Sequence, residues 1–238
     1  MPFWEVYSYF YSLSLRNLFP YRHLLDDLNS ALDVKQSETI LDAGCGPGLV
    51  IQKIAQANAG KRISITGLDL SKRMIRQAQG RCKNSDVRLH VADLNKDLEF
   101  PDSSFDKVVC SNTLYALENP RAAISEFHRV LKHGGALVIV NPRPNARQKE
   151  LIRAQITAIN KVTPAYRRIY HIATSILLVP VNLVVMAINK AIVDKGRKGE
   201  YHFLNKDELE KVLRETGFKS IHTSSCYVDQ SWLVRAEK

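Results

Sequence analysis

A doubly wound α/β domain, with a mostly parallel sheet and helices on both faces, is the fold class this sequence predicts. Three observations carry the expectation. Short apolar runs alternate with helical stretches from residue 38 onward, the first strands end in acidic or small polar residues, and the first strand passes through a glycine-rich turn straight into a helix. A chain of 238 residues, 45% of them hydrophobic, also has the material for a substantial core.

The N-terminal stretch "MPFWEVYSYFYSLSLRNLFPY" holds eight of the nineteen aromatic residues. Within it Trp4, Tyr7, Tyr11, Leu15 and Leu18 recur at three- and four-residue spacing and mark one helical face. The first strand and turn follow in "ETILDAGCGPGLVIQKIAQ", where Gly44, Gly46 and Gly48 let the backbone approach a ligand and the next helix offers free N–H groups. The spacing is G-x-G-x-G, not the G-x-G-x-x-G of a dinucleotide fingerprint, and Asp42 precedes it at the end of the strand. A pyrophosphate there would meet Asp42 as a like charge, with no Lys or Arg between residues 39 and 52 to offset it. A ligand carrying an ammonium group and no phosphate suits the site, and S-adenosylmethionine is such a ligand.

The second strand ends at Asp69, twenty-one residues beyond Gly48, which is where a ribose-binding carboxylate is expected. The third, "DVRLHVADL", ends at Asp93, placed to accept from an adenine amino group while Leu94 packs on the ring. The fourth, "FDKVVCSNTLYAL", brings Ser111 and Asn112 to the same carboxyl edge, with Tyr115 just beyond.

These segments, in order, carry a family resemblance. "LDAGCGPG", "GLDLS", "VADL", "FPDSSFDKVVCSNTLYAL", "FHRVLKHGGALVIVNP" and the C-terminal stretch from His202 resemble the class I S-adenosylmethionine-dependent methyltransferases, closest in style to the branch that includes the ubiquinone and menaquinone methyltransferases. His133, in "LKHGG", stands where that family usually has Pro, in a turn between helix and strand. The resemblance implies a single domain over residues 1–238 with a Rossmann-like seven-stranded sheet and an antiparallel C-terminal hairpin. It also implies an N-terminal helical lid over residues 1–34 and a helical cap at 143–203. It assigns Asp42 and the glycines to the methionine portion of the cofactor, Asp69 to the ribose, and Asp93 with Leu94 to the adenine. Tyr11, Cys45, Leu70, Ser71, Met74, Ser111 and Asn112 complete the cofactor set.

Methyl transfer from a sulfonium is an in-line displacement, so such a protein mainly aligns the acceptor and excludes water. Tyr115 is the best-placed orienting group, and His171 and His202, at the borders of the insert, are the candidate bases. No His, Cys and carboxylate cluster has metal-ligand spacing, so no metal is expected.

The formal net charge is +10, but residues 143–203 hold eleven Lys and Arg against three Asp and Glu. Within this insert, eighteen residues from Ile172 to Asn189 carry no charge, the lower limit for a membrane span. Pro180, Asn182 and Asn189 argue against spanning. Two readings stay open: helices lying at an anionic membrane interface, or a buried lid core with a solvated basic rim. An exposed polyanion-binding arm, as for an RNA or protein methyltransferase, accords poorly with the apolar run, and nucleic acid is not the expected partner. A cofactor-binding regulatory subunit without chemistry is the rival of another class. The acceptor expected is small and lipophilic: a quinone, an isoprenoid or a phospholipid headgroup. Cys45, Cys82, Cys110 and Cys226 form no C-x-x-C pair, and the N-terminus shows neither signal nor transit features, so a cytoplasmic, membrane-associated protein is expected.

Overall fold

The computed structural model describes residues 10–15, 17–83, 86–144 and 147–238. Trp4 and Tyr7 of the aromatic helical face lie outside them. Seven strands, β1 (Thr39–Ala43), β2 (Ser64–Asp69), β3 (Val87–Val91), β4 (Phe105–Ser111), β5 (Leu131–Pro142), β6 (Lys219–Cys226) and β7 (Ser231–Glu237), form one sheet in the order β3-β2-β1-β4-β5-β7-β6. The first five pair in parallel, whereas β7 runs antiparallel to both β5 and β6. The expected fold class is the one observed.

The order is what positions a site. The chain winds outward from β1 through β2 to β3, then returns to lay β4 on the other side of β1. The loops after β1 and β4 therefore diverge at the carboxyl edge and leave a crevice between them. The helices are α1 (Phe19–Leu32), α2 (Leu49–Ala57), α3 (Lys72–Arg81), α4 (Pro120–Val130), α5 (Gln148–Asn160), α6 (Ala165–Leu177), α7 (Val179–Arg197) and α8 (Lys206–Thr216); residues 10–15 are also helical.

Strand alternation divides the core in two. On one face Leu41, Val108 and Leu137 pack with Phe127 of α4 and Leu213 of α8. On the other, Ile40, Val109 and Val138 pack with Ile51 of α2 and with Leu24 and Leu28 of α1. Residues 1–34 were expected to be one helical lid, and the structure divides that segment. Leu24, Leu28 and Leu32 of α1 are fully buried, because their three- to four-residue spacing presents one apolar stripe to the sheet.

The insert is built on α1 and extends from it. The Gln155 side chain of α5 accepts from Phe19 N–H (2.8 Å) and donates to Asn17 O (3.1 Å). Beyond α5, α6 has no buried residue, which departs from a buried lid core. No single helix among the described residues is long and apolar enough to cross a membrane; α6 and α7 together reach that length and composition but are bent by 56°. The bend follows from Pro180, which stands in the first turn of α7 and cannot continue the α6 hydrogen-bond ladder.

Arg129, at the end of α4, ties down the loop that follows β3. Its guanidinium donates to Leu98 O, Phe100 O, Asp102 and Glu126, at 2.8 to 2.9 Å, while Glu126 accepts from Leu98 N–H. That anchorage seats Leu98 in the core below the loop bearing Asp93 and Leu94. Arg129→Ala removes the ties together and is expected to lower stability by about 2 kcal/mol. Denaturant unfolding checks this; an unchanged midpoint would show that the loop holds itself.

Candidate active site

A cavity of about 550 Å³ opens at the crevice between the β1 and β4 loops. That volume lies in the range of small-molecule and cofactor sites. The glycine turn forms one wall. Gly44 has φ +84°, and a Cβ there would stand 2.2 Å from Thr113 Oγ1, so glycine is required twice over, by the left-handed backbone and by the approach of the β4 loop. Thr113 Oγ1 lies 3.2 Å from both Gly44 O and Ser111 O and joins the two loops. Gly48, with φ +81°, begins α2 and packs against Ala78 of α3. It supports the turn from behind, outside the cavity lining, while Gly44, Cys45 and Gly46 line it.

Asp69 and the turn are coupled. One carboxylate oxygen accepts from Gly46 N–H (2.9 Å) and the other from Ser71 N–H (2.8 Å). Each oxygen keeps a lone pair for a further donor, so the group still fits a pair of ribose hydroxyls. Burial raises its pKa, while the Ser71 and Gly46 N–H groups act the other way. Ser71 caps α3 by accepting from Met74 N–H (3.2 Å), and Leu70, Ser71 and Met74 all face the cavity.

The third strand stops at Val91, short of Asp93. Asp93 lies instead in a turn, where Oδ1 accepts from the Asn95 backbone and side-chain amides (3.1 and 3.0 Å), and it lines the cavity beside the buried Leu94. Asn95 completes that corner by accepting from Glu118 N–H (2.8 Å). Ser111, Asn112 and Tyr11 also line the cavity, and the Tyr11 hydroxyl hydrogen-bonds the Asn112 side chain.

Asp42 differs most from its expected place. It lies within β1, not at its end, and alternation points it to the Ile40 side, into the core beneath the turn. It is fully buried, and neither oxygen has a hydrogen-bond partner. Burial, and next the charge of Asp69, push its pKa up to about 8. It does not line the cavity, which departs from the direct contact expected of it.

The candidate catalytic residues separate. Tyr115 lines the cavity from the short 3-10 turn Leu114–Ala116, is buried, and stacks on Phe203 with ring centroids 5.0 Å apart. Burial raises its pKa well above the tyrosine range, which keeps its hydroxyl neutral near pH 7. His171 is outside the lining; its ring packs edge-on against Phe19 (4.9 Å) and Tyr170 (5.5 Å). His202 is outside it too and donates its backbone N–H to Tyr115 O (2.7 Å), so it positions the tyrosine through the main chain. The expected turn residue His133 lies in the exposed start of β5, far along the strand from this edge.

Tyr21, Thr113, Asn95 and Arg73 reach the cavity without having been singled out in the sequence. The adjacency of Thr113 to Ser111 and Asn112 was a usable signal. Tyr21, buried against Tyr227, had none, because only the packing of α1 turns it inward. Among the described residues no group of His, Cys, Asp and Glu is arranged to hold a metal ion, and all four cysteines are buried and free.

Asp42 sets a pH dependence. Its folded-state pKa lies above the unfolded value, so the folded protein binds more protons between about pH 4 and 8, and stability falls as pH rises through that window. The slope from this group is about 1 kcal/mol per pH unit at its steepest. Asp42→Asn should therefore gain on the wild type progressively from pH 5 to 8 in ligand-free thermal unfolding. Parallel curves for the two proteins would show that Asp42 is ionised throughout.

Comparison with known proteins identifies the family. A family described as a methyltransferase domain matches residues 34–217. A demethylmenaquinone methyltransferase of Tropheryma whipplei is 38% identical over 111 residues, 45% of this chain and 43% of that protein. A malonyl-[acyl-carrier protein] O-methyltransferase of a Paenibacillus species is 28% identical over 187 residues, 77% of this chain and 56% of that protein. The chain thus spans about half the length of these curated relatives. An S-adenosylmethionine-dependent methyltransferase of Aquifex aeolicus superposes with TM-score 0.60 over 92% of this chain and 90% of its own, at 16% identity, which bears on the fold alone. With the family match over most of its length, the glycine turn against Thr113 and the carboxylate of Asp69 on that turn, the chain belongs to the class I S-adenosylmethionine-dependent methyltransferases.

Proposed function

We propose that this chain transfers the methyl group of S-adenosylmethionine to a small lipophilic acceptor of the quinone, isoprenoid or phospholipid-headgroup type. One observation carries the reading: a single cavity is lined both by Asp69, Asp93 and the glycine turn and by Tyr11, Tyr21 and Tyr115. The first set matches a polar, cationic cofactor and the second a flat or apolar acceptor.

In this reading Asp69 holds the ribose, Asp93 and Leu94 the adenine, and Gly44, Cys45 and Gly46 the amino-acid tail. Leu70, Ser71 and Met74 close over the nucleoside, while Ser111, Asn112 and Tyr11 face the sulfonium. The cofactor supplies an electrophilic methyl group; the chain supplies alignment and dryness. Burial pushes the Tyr11 hydroxyl up to about 12 and raises Tyr21 and Tyr115, so near neutral pH all three stay protonated. They hydrogen-bond and stack without taking a proton. His171 and His202 act at one remove, by packing and through the Tyr115 carbonyl. The demethylmenaquinone relative favours an aromatic lipid acceptor, and the reading places the protein on the cytoplasmic side of an anionic membrane.

Two measurements test this. Asp69→Ala removes charged hydrogen bonds that contribute ~1.5 to 3 kcal/mol each, so calorimetry should show S-adenosylmethionine binding at least tenfold weaker in a protein that keeps its circular dichroism. Equal affinity would remove Asp69 from the cofactor. Methyl-labelled cofactor incubated with the protein and a crude lipid extract should label a lipid-soluble product. Label confined to protein or RNA in a whole-cell extract would replace the lipophilic acceptor with a macromolecular one.

A further inference from the structure

The helix α6 is amphipathic with its faces reversed. Tyr166, Ile169, Tyr170, Ile176 and Leu177 recur at one-turn spacings on one stripe and are 62 to 77% exposed. The side turned toward the protein carries His171, Thr174 and Ser175, all half-buried. A helix that turns its polar side toward the protein and presents its apolar side to solvent is placed for something other than water. The stripe continues around the bend into α7, where Val179, Leu183 and Met186 are exposed and Lys190 ends the row.

Charge identifies what covers it. Residues 161–199 hold seven Lys and Arg and one acidic residue, Asp194, which Arg197 pairs (3.3 Å). Arg167, Arg168 and Lys190, on these two helices, and Lys198, at the end of α7, are exposed. A second protein surface would need acidic and apolar patches in matching register, whereas an anionic bilayer offers apolar depth ringed by negative headgroups everywhere. The 56° bend and the charged ends agree with helices lying in the interface, not crossing it.

The same layer touches the cavity from within. Asn182 of α7 accepts from Ser14 (2.7 Å), one turn beyond the cavity residue Tyr11. Gly196, near the end of α7, is closed against Phe203, whose ring stacks on Tyr115. We infer that the outward stripe of α6 and α7 is a docking face for an anionic membrane surface, which sets the cavity beside the bilayer holding its acceptor. The inference rests on the lipophilic-acceptor reading for its purpose, but the docking is measured without any methyl transfer.

Flotation of the full chain with phosphatidylcholine vesicles, and with vesicles containing phosphatidylglycerol, tests it. Binding at low salt should be at least tenfold stronger to the anionic vesicles, each basic residue near such a surface adding about fivefold. The double changes Ile176→Glu with Leu177→Glu, and Arg167→Glu with Arg168→Glu, should each abolish flotation while calorimetric binding of S-adenosylmethionine stays at the wild-type value. Wild-type protein that binds cofactor but floats with neither vesicle overturns the inference. So does equal flotation of wild type and the Ile176→Glu, Leu177→Glu protein, or a concentration-dependent dimer that those changes dissolve without any vesicle binding. Flotation with no labelled lipid product leaves the docking face standing and defeats the acceptor reading alone; labelled product from a protein that never floats does the reverse.

Discussion

The pairing of β1 with β4, Ile40 beside Lys107 through Asp42 beside Val109, is the constraint on which the rest of this structure depends. It is the point at which the winding reverses. Two consecutive strands laid side by side would close the carboxyl edge, but β1 and β4 send their loops in opposite directions and leave space between them. A polar network pins the other end of the pair: Asp106 accepts from Thr39 N–H and Oγ1 and from Lys132, at 2.7 to 2.8 Å. Three strands share that carboxylate, so register at the start of β1, β4 and β5 is held by a single residue.

The crevice is electrostatically prepared for a cation. Asp69 and Asp93 line it and Asp42 lies beneath, its pKa raised by burial and next by the charge of Asp69. A carboxylate buried without a hydrogen bond costs stability in the ligand-free chain. The raised pKa of Asp42 reflects that cost, since burial favours its neutral form. Arg81 braces the turn: it donates to Pro47 O and to Ser12 (3.2 Å), joining the glycine turn to the N-terminal helix.

The insert and the N-terminal residues behave as one layer because their contacts are mutual. Gln155 bridges Asn17 and Phe19, Ser14 donates to Asn182, and Phe19 meets His171 edge-on. The aromatic cluster of Tyr115, Tyr201 and Phe203 ties the far end of the insert to the β4 loop. The layer is thus anchored at two places on the rim of the cavity, with its apolar stripe facing away.

Local chemistry by itself determined the strands, the glycine turn, the family and the carboxylate at the end of β2. Alternation, left-handed glycines and a fixed spacing from Gly48 to Asp69 are properties of short segments, and they survive whatever packs around them. Tertiary structure alone decided what depends on which face meets which neighbour. It sent Asp42 into the core, because the residue shares the parity of Ile40, and it made α1 a core helix by burying Leu24 and Leu28. It brought Tyr21 to the cavity and kept His171 and His202 out of its lining. It also left an apolar stripe of α6 exposed, for a physical reason no sequence window contains. His171 on the polar side of α6 packs against Phe19, whereas Tyr166, Ile169, Ile176 and Leu177 are exposed.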